Sequence, residues 1–139
     1  MPIPFTLSGA RVDLAPRLFF SNTVAASPSG SSETIVCTLT IADDVALGKG
    51  VVLMGFGAFT QGTDGTGVTL KIRRTDASGS TLKSTGILPY AAAVLGAASI
   101  VAVDTGVSPL NQVYVLTATH TAASAASTYS AATLAAIVV

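Results

Sequence analysis

His120 is the only histidine in the chain, and it limits how much acid–base chemistry the sequence can support. An imidazole acts as a general base only with a nucleophile and an orienting partner at hydrogen-bond distance. No Gly-x-Ser-x-Gly elbow presents a serine to it. The residue therefore reads as a strand histidine meeting a hydroxyl or water on a facing strand, with a contact to another copy as the alternative. Asp43-Asp44 is the only adjacent acidic pair. In a loop both carboxylates can reach one cation, but calcium takes about six to eight oxygen ligands. No EF-hand or Asp-rich repeat supplies the rest, so a solvated turn comes first and weak metal binding second. Asp64 and Asp76 occupy turn sequences, where aspartate closes the turn through its own side chain.

The other candidates have similarly plain explanations. A single cysteine excludes an intrachain disulfide and the Cys-rich metal motifs. Cys37 falls in the alternating run Ile35, Cys37, Leu39, Ile41, where a thiol behaves as a small buried hydrophobe. Gly62-Thr-Asp-Gly65-Thr-Gly67 lacks the lysine of a phosphate loop and has strand-like flanks on both sides. Lys71, Arg73 and Arg74 cluster, yet Lys71 and Arg73 alternate with Leu70 and Ile72, as on the wet face of a strand. A solvated or partner-facing surface is the first reading of that trio, an intersubunit ion pair the second, an anion or nucleic-acid contact the third. The chain holds 7 Lys and Arg against 7 Asp and Glu, which leaves no basic surface for nucleic acid. With no Trp, 3 Tyr and 5 Phe, a broad sugar-stacking platform is not expected. A groove at Tyr90, Tyr114 or Asp64 remains as a carbohydrate-binding alternative. No residue is assigned to catalysis, to a cofactor or to a metal, and the chain reads as non-enzymatic.

The chain's most informative property is where its charges are missing. Charged residues make up 10% of the chain, against about 25% in ordinary globular domains. From Thr105 to Val139 there is no Asp, Glu, Lys or Arg. Soluble monomers keep mixed charge on their surfaces, so this deficit predicts that part of the surface is covered by other copies. The start, Met1-Pro-Ile-Pro-Phe, has neither the basic region nor the continuous apolar region of a secretory signal. No run is long and apolar enough to read as a transmembrane helix.

The elements that must carry these residues are short strands. Three prolines within residues 1–16 (Pro2, Pro4, Pro16) predict an extended N-terminal arm, followed by a single β-sandwich domain over 17–139. Strands are expected over 17–25, 33–41, 51–60, 68–74, 80–85, 112–120 and 129–139, separated by turns rich in Gly, Pro, Ser and Asp. On 51–60, Val52, Met54, Phe56 and Ala58 share one face, and Gly55 and Gly57 leave room on the other. Residues 90–98 are open between a short helix and a loop leading into a strand. The terminal strand is apolar on both faces, which suits a central strand covered twice or one whose outer face meets another subunit. The pattern predicts an all-β antiparallel sandwich, most simply a jelly roll, with an immunoglobulin-like sandwich as the rival.

In the order of these features the chain resembles the small jelly-roll accessory proteins of tailed-phage virions, namely decoration, head-fibre or collar proteins. The segments that prompt this are Glu33-Thr-Ile-Val-Cys-Thr-Leu-Thr-Ile41, Gly50-Val-Val-Leu-Met-Gly-Phe-Gly-Ala-Phe59, Gly67-Val-Thr-Leu-Lys-Ile-Arg-Arg74 and the uncharged end 129–139. The resemblance implies a structural bacteriophage component located on the virion. It also implies a homo-oligomer, with a trimer favoured, and a capsid or tail protein as its partner.

Overall fold

The computed structural model describes residues 17–23, 31–41, 49–61, 67–89, 95–106, 111–121 and 127–139. The proposed arm over 1–16 lies outside them, as do Asp43, Asp44, Asp64 and Tyr90. The strands are β1 (Arg17–Thr23), β2 (Thr34–Ile41), β3 (Val51–Gln61), β4 (Gly67–Arg74), β5 (Thr81–Ser84), β6 (Leu88–Pro89), β7 (Leu95–Asp104), β8 (Gln112–His120) and β9 (Ser127–Val138). They form two antiparallel sheets, β1-β9-β3-β7 and β2-β8-β4-β5, with the two-residue β6 also paired to β4.

The chain alternates between the two sheets as it runs from β1 to β4 and from β6 to β9. It closes by laying β9 beside β1, with Arg17 opposite Val138. This is an antiparallel sandwich of jelly-roll type, as the sequence predicts. The ambiguous stretch resolves as strand from Leu95 onward. There β7 alternates strictly between exposed and buried residues, the period-2 signature of a half-buried strand.

Packing explains the composition of the inner faces. The second sheet sends in large side chains, including Leu39, Ile41, Leu70, Ile72, Tyr114 and Leu116. Opposite them the first sheet presents many small ones, with Gly55, Gly57, Gly96, Ala98, Ala102, Ala132 and Ala136 all turned inward and buried. A Cβ added at Gly55 would come within 2.9 Å of both Ile100 Cγ2 and Leu116 Cδ1. Gly55 is therefore what lets Leu116 fill the space between the sheets.

One face assignment is corrected. The alternation places Ile35 on the same side as Cys37, but a bulge between them shifts the register against β8. Ile35 is therefore 40% exposed, and Val36 takes its place in the core at 2%. A bulge adds one residue to one strand, so everything beyond it changes face. Cys37, Leu39 and Ile41 point inward as expected.

Candidate functional site

Two clusters of charge are built into the sandwich, and both are closed within the chain. The first sits on the outer face of the second sheet. Glu33, just before β2, receives Lys71 Nζ at 3.0 Å, Arg73 Nε at 2.5 Å and Arg73 Nη2 at 2.7 Å, and the Thr117 hydroxyl also donates to it. Arg73 Nη1 donates to the carbonyl of Gly79 at 2.8 Å. The Arg73 hydrogen bonds, aided by Thr117 and Lys71, outweigh partial burial and hold the Glu33 carboxyl down at about 2. The alternation of Lys71 and Arg73 on an outer strand face is as expected. Their partner, however, is an acid of the same chain rather than bulk solvent or another subunit.

The second cluster lies inside. Asp104, at the inward end of β7, is buried, and after Lys83 it is the only formal charge in the chain. Arg74 grips it from β4 with Nε at 2.7 Å and with Nη2, the Gly106 amide donates at 3.0 Å, and the Tyr114 hydroxyl donates at 3.0 Å from β8. Burial alone would push Asp104 up, yet these donors and the Arg74 charge bring it below the usual carboxylate range. Burial, then the Asp104 charge, pushes the Tyr114 phenol well up. Arg74 is thus separated from Lys71 and Arg73, although the three are near-neighbours in sequence.

These placements change the candidate list. Tyr114 is fully buried and its hydroxyl is committed to Asp104, so it cannot line a carbohydrate groove. His120 is buried on β8 opposite Val68, which takes it away from solvent and from other copies. Cys37 is buried, and its thiol points at the carbonyl of Ser21 at 3.3 Å. Asp76 shapes its turn by accepting from the Ser78 amide at 2.8 Å and the Ser78 hydroxyl at 2.6 Å. Among the described residues no three His, Cys, Asp or Glu side chains gather where they could hold a metal ion. Glu33 and Asp104 are both held ionised by cations, which makes each a poor proton donor.

A groove of about 500 Å³ opens where the edges of the two sheets part. One wall is Lys83, Ser84, Thr85 and Leu88, and the other is Ser99, Ile100 and Val101 of β7. Three hydroxyl residues, one lysine and the aliphatic Leu88, Ile100 and Val101 line it, with no aromatic ring. The Thr85 hydroxyl is already engaged with the backbone of Leu70 and Gly86.

A broad apolar surface lies on the outer face of the first sheet. Strand register arranges it in rows across β1, β9, β3 and β7. Leu18, Ile137, Val52 and Val103 form one row, and Phe20, Ala135, Met54 and Val101 the next. Thr133, Phe56 and Ser99 follow, then Ala131, Ala58 and Ala97. None of these side chains carries a charge. Phe20 is 66% exposed and Leu18 63%, while Met54, Phe56, Val101 and Val103 are also exposed. The sequence places Val52, Met54, Phe56 and Ala58 on one face, and the structure shows that this face is the outer one. The matching contribution of β7 was hidden in the sequence, because its alanines suit a helix as well as a strand.

No family model matches the chain, and no curated protein does. Solved structures do resemble it. A chain of the Gt strain of infectious bursal disease virus superposes with a TM-score of 0.61 at 10% identity, covering 87% of this chain and 33% of that one. A chain of the crystallised particle of the same virus gives 0.60 at 12% identity, over 88% and 31%. This chain thus spans about a third of the length of those viral chains. A family 35 carbohydrate binding module from Clostridium thermocellum is matched at 11% identity over 86% of this chain and 97% of that one, with a TM-score of only 0.40. The chain is a small jelly-roll module similar in fold to chains of infectious bursal disease virus. No phage accessory protein is singled out.

Proposed function

We infer that the chain is a non-enzymatic structural module that assembles with copies of itself, as a decoration or head or tail accessory component of a virion. The observation that carries this reading is the outer face of the first sheet. It is four strands wide, exposed and free of charge, whereas the outer face of the second sheet carries the Glu33, Lys71 and Arg73 cluster together with exposed Thr38 and Thr40. Exposed apolar patches of this kind mark protein contact surfaces. Chains of the same fold occur in the infectious bursal disease virus particle, which supports a shell-associated role. Light scattering of the purified chain at micromolar concentration is expected to show an oligomer, and a stable monomer overturns the assembly. Immunogold labelling with an antibody to the chain is expected to mark virions produced by the encoding genome. Label confined to cells or to the soluble fraction overturns the virion placement.

A carbohydrate-binding role is the second reading, and the groove between β5, β6 and β7, with Ser84, Ser99 and Lys83 in its lining, favours it. Under this reading the groove, not Tyr114, takes the sugar. Glycan-array binding that is abolished by Ser84→Tyr, which fills the groove, is its expected signature. An array with no binding removes it.

A further inference from the structure

We propose that the outer face of the β1-β9-β3-β7 sheet is a self-complementary contact surface that packs face to face against the same sheet of a second copy. The proposal rests on the self-assembly reading above and names the surface and the partner.

The first support is size. Four strands at about 4.8 Å spacing make the face about 19 Å wide, and β3 from Val52 to Thr60 runs about 27 Å at about 3.3 Å per residue. The plan area is therefore about 500 Å² per copy. Two such faces cover about 1,000 Å², which reaches the floor for a specific interface before side-chain relief is added.

The second support is charge. A face with no formal charge can meet its own copy without placing like charges together, which is the usual obstacle to an isologous contact. The opposite outer face carries the Glu33, Lys71 and Arg73 ion pairs instead.

Relief supplies the third. Ala131, Ala58 and Ala97 lie side by side across β9, β3 and β7 and form a shallow hollow. Next to it stand Phe56 on one side and Leu95, 70% exposed, on the other. Raised and hollow rows on one surface let a two-fold partner seat its large side chains over the alanines of the first copy. Two sheets packed in this way sit about 10 Å apart with aligned strands. A two-fold contact of a face with itself yields pairs, so it builds even-numbered assemblies and not the trimer that the resemblance implies.

Size-exclusion chromatography with light scattering on the full chain, and on Val101→Lys and Ala97→Lys, tests the proposal. Both residues are exposed on the edge strand β7, where a lysine leaves the core untouched. The wild type is expected at twice the chain mass, unchanged in 1 M salt. Each variant is expected at the chain mass, at least tenfold weaker in association, with an unchanged circular dichroism spectrum. Thr40→Lys, on the opposite outer face, is expected to stay dimeric. Should one variant fail to fold, the other decides. A wild-type oligomer that survives both lysines, or whose mass is three times that of the chain, overturns this surface and leaves self-assembly standing. A wild-type monomer overturns both.

Discussion

Tyr114 and Asp104 join the two sheets of the sandwich from the inside: the phenol of β8 donates to the carboxylate of β7 at 3.0 Å. The contact closes one end of the core, where β7 would otherwise bring a lone negative charge between the sheets. Arg74, on β4 of the second sheet, holds the same carboxylate. The arrangement makes Asp104 a structural tie between the layers.

Removing the parts of that tie should have graded costs. Tyr114→Phe deletes one hydrogen bond to a charged acceptor, while Arg74 and the Gly106 amide keep Asp104 paired. The expected loss is about 1–3 kcal/mol. Asp104→Ala is expected to cost more, because it leaves the buried Tyr114 hydroxyl without its acceptor and removes the Arg74 and Gly106 hydrogen bonds as well. Urea unfolding of both variants checks the order, and equal or reversed losses would show that Asp104 is not the organising group.

Acid should weaken the fold through Glu33. Its ordinary value is 4.5 and its folded value about 2, so the folded state binds this proton less readily than the unfolded chain. Stability from the pair is complete above about pH 4.5 and is lost as pH falls toward 2. Asp104, also lowered, contributes in the same direction. Glu33→Gln is expected to melt lower at pH 7 and to show a shallower decline between pH 4.5 and 2. A variant whose stability falls with pH as steeply as the wild type's would remove Glu33 as the cause.

Gly55→Ala tests how closely the sheets approach. Its new methyl would lie within 2.9 Å of both Ile100 and Leu116, so both must give way. Overpacking of this kind costs about 1–3 kcal/mol. Gly86→Ala is strained for a different reason, since Gly86 has φ of +74° and no neighbouring atom near the added methyl. Thermal melts are expected to fall in both, and the Gly55 variant should recover when Leu116 is shortened to Val.

The strands were legible where side chains alternate cleanly. Val68, Leu70 and Ile72 point inward as the sequence says, and β9 is apolar on both faces because one lies in the core and the other belongs to the dry outer face. The bulge after Ile35 was not legible, since apolar residues at 35, 36 and 37 fit either register. Nor was the partner of Arg74, because Asp104 is 30 residues away and approaches only once the two sheets pack. Tyr114 looked available for a ligand because a tyrosine in a strand carries no mark of which face it will take. The dry outer face was half visible, through β3 and β9. Its extent across β1 and β7 depends on strand order, which composition does not encode.

Amide exchange should separate the centre of the first sheet from the edge of the second. β9 is hydrogen-bonded on both sides, to β1 and β3, and its inward residues Ala132, Leu134, Ala136 and Val138 are buried. Opening it breaks two ladders at once and exposes the core, so its amides should exchange only near global unfolding. β5 is four residues long, sits at an edge and exposes Thr81, Lys83 and Ser84. Its amides should exchange faster, as should those of the turn over residues 76–80, although the Arg74 amide bond to Ser80 and the Asp76–Ser78 contacts slow that turn. On the assembled protein, the amides of β9 are expected to slow further on raising the concentration through the association midpoint. Fast exchange throughout β9 would mean that the strand is neither core nor interface, and the structural reading of the dry face would fall with it.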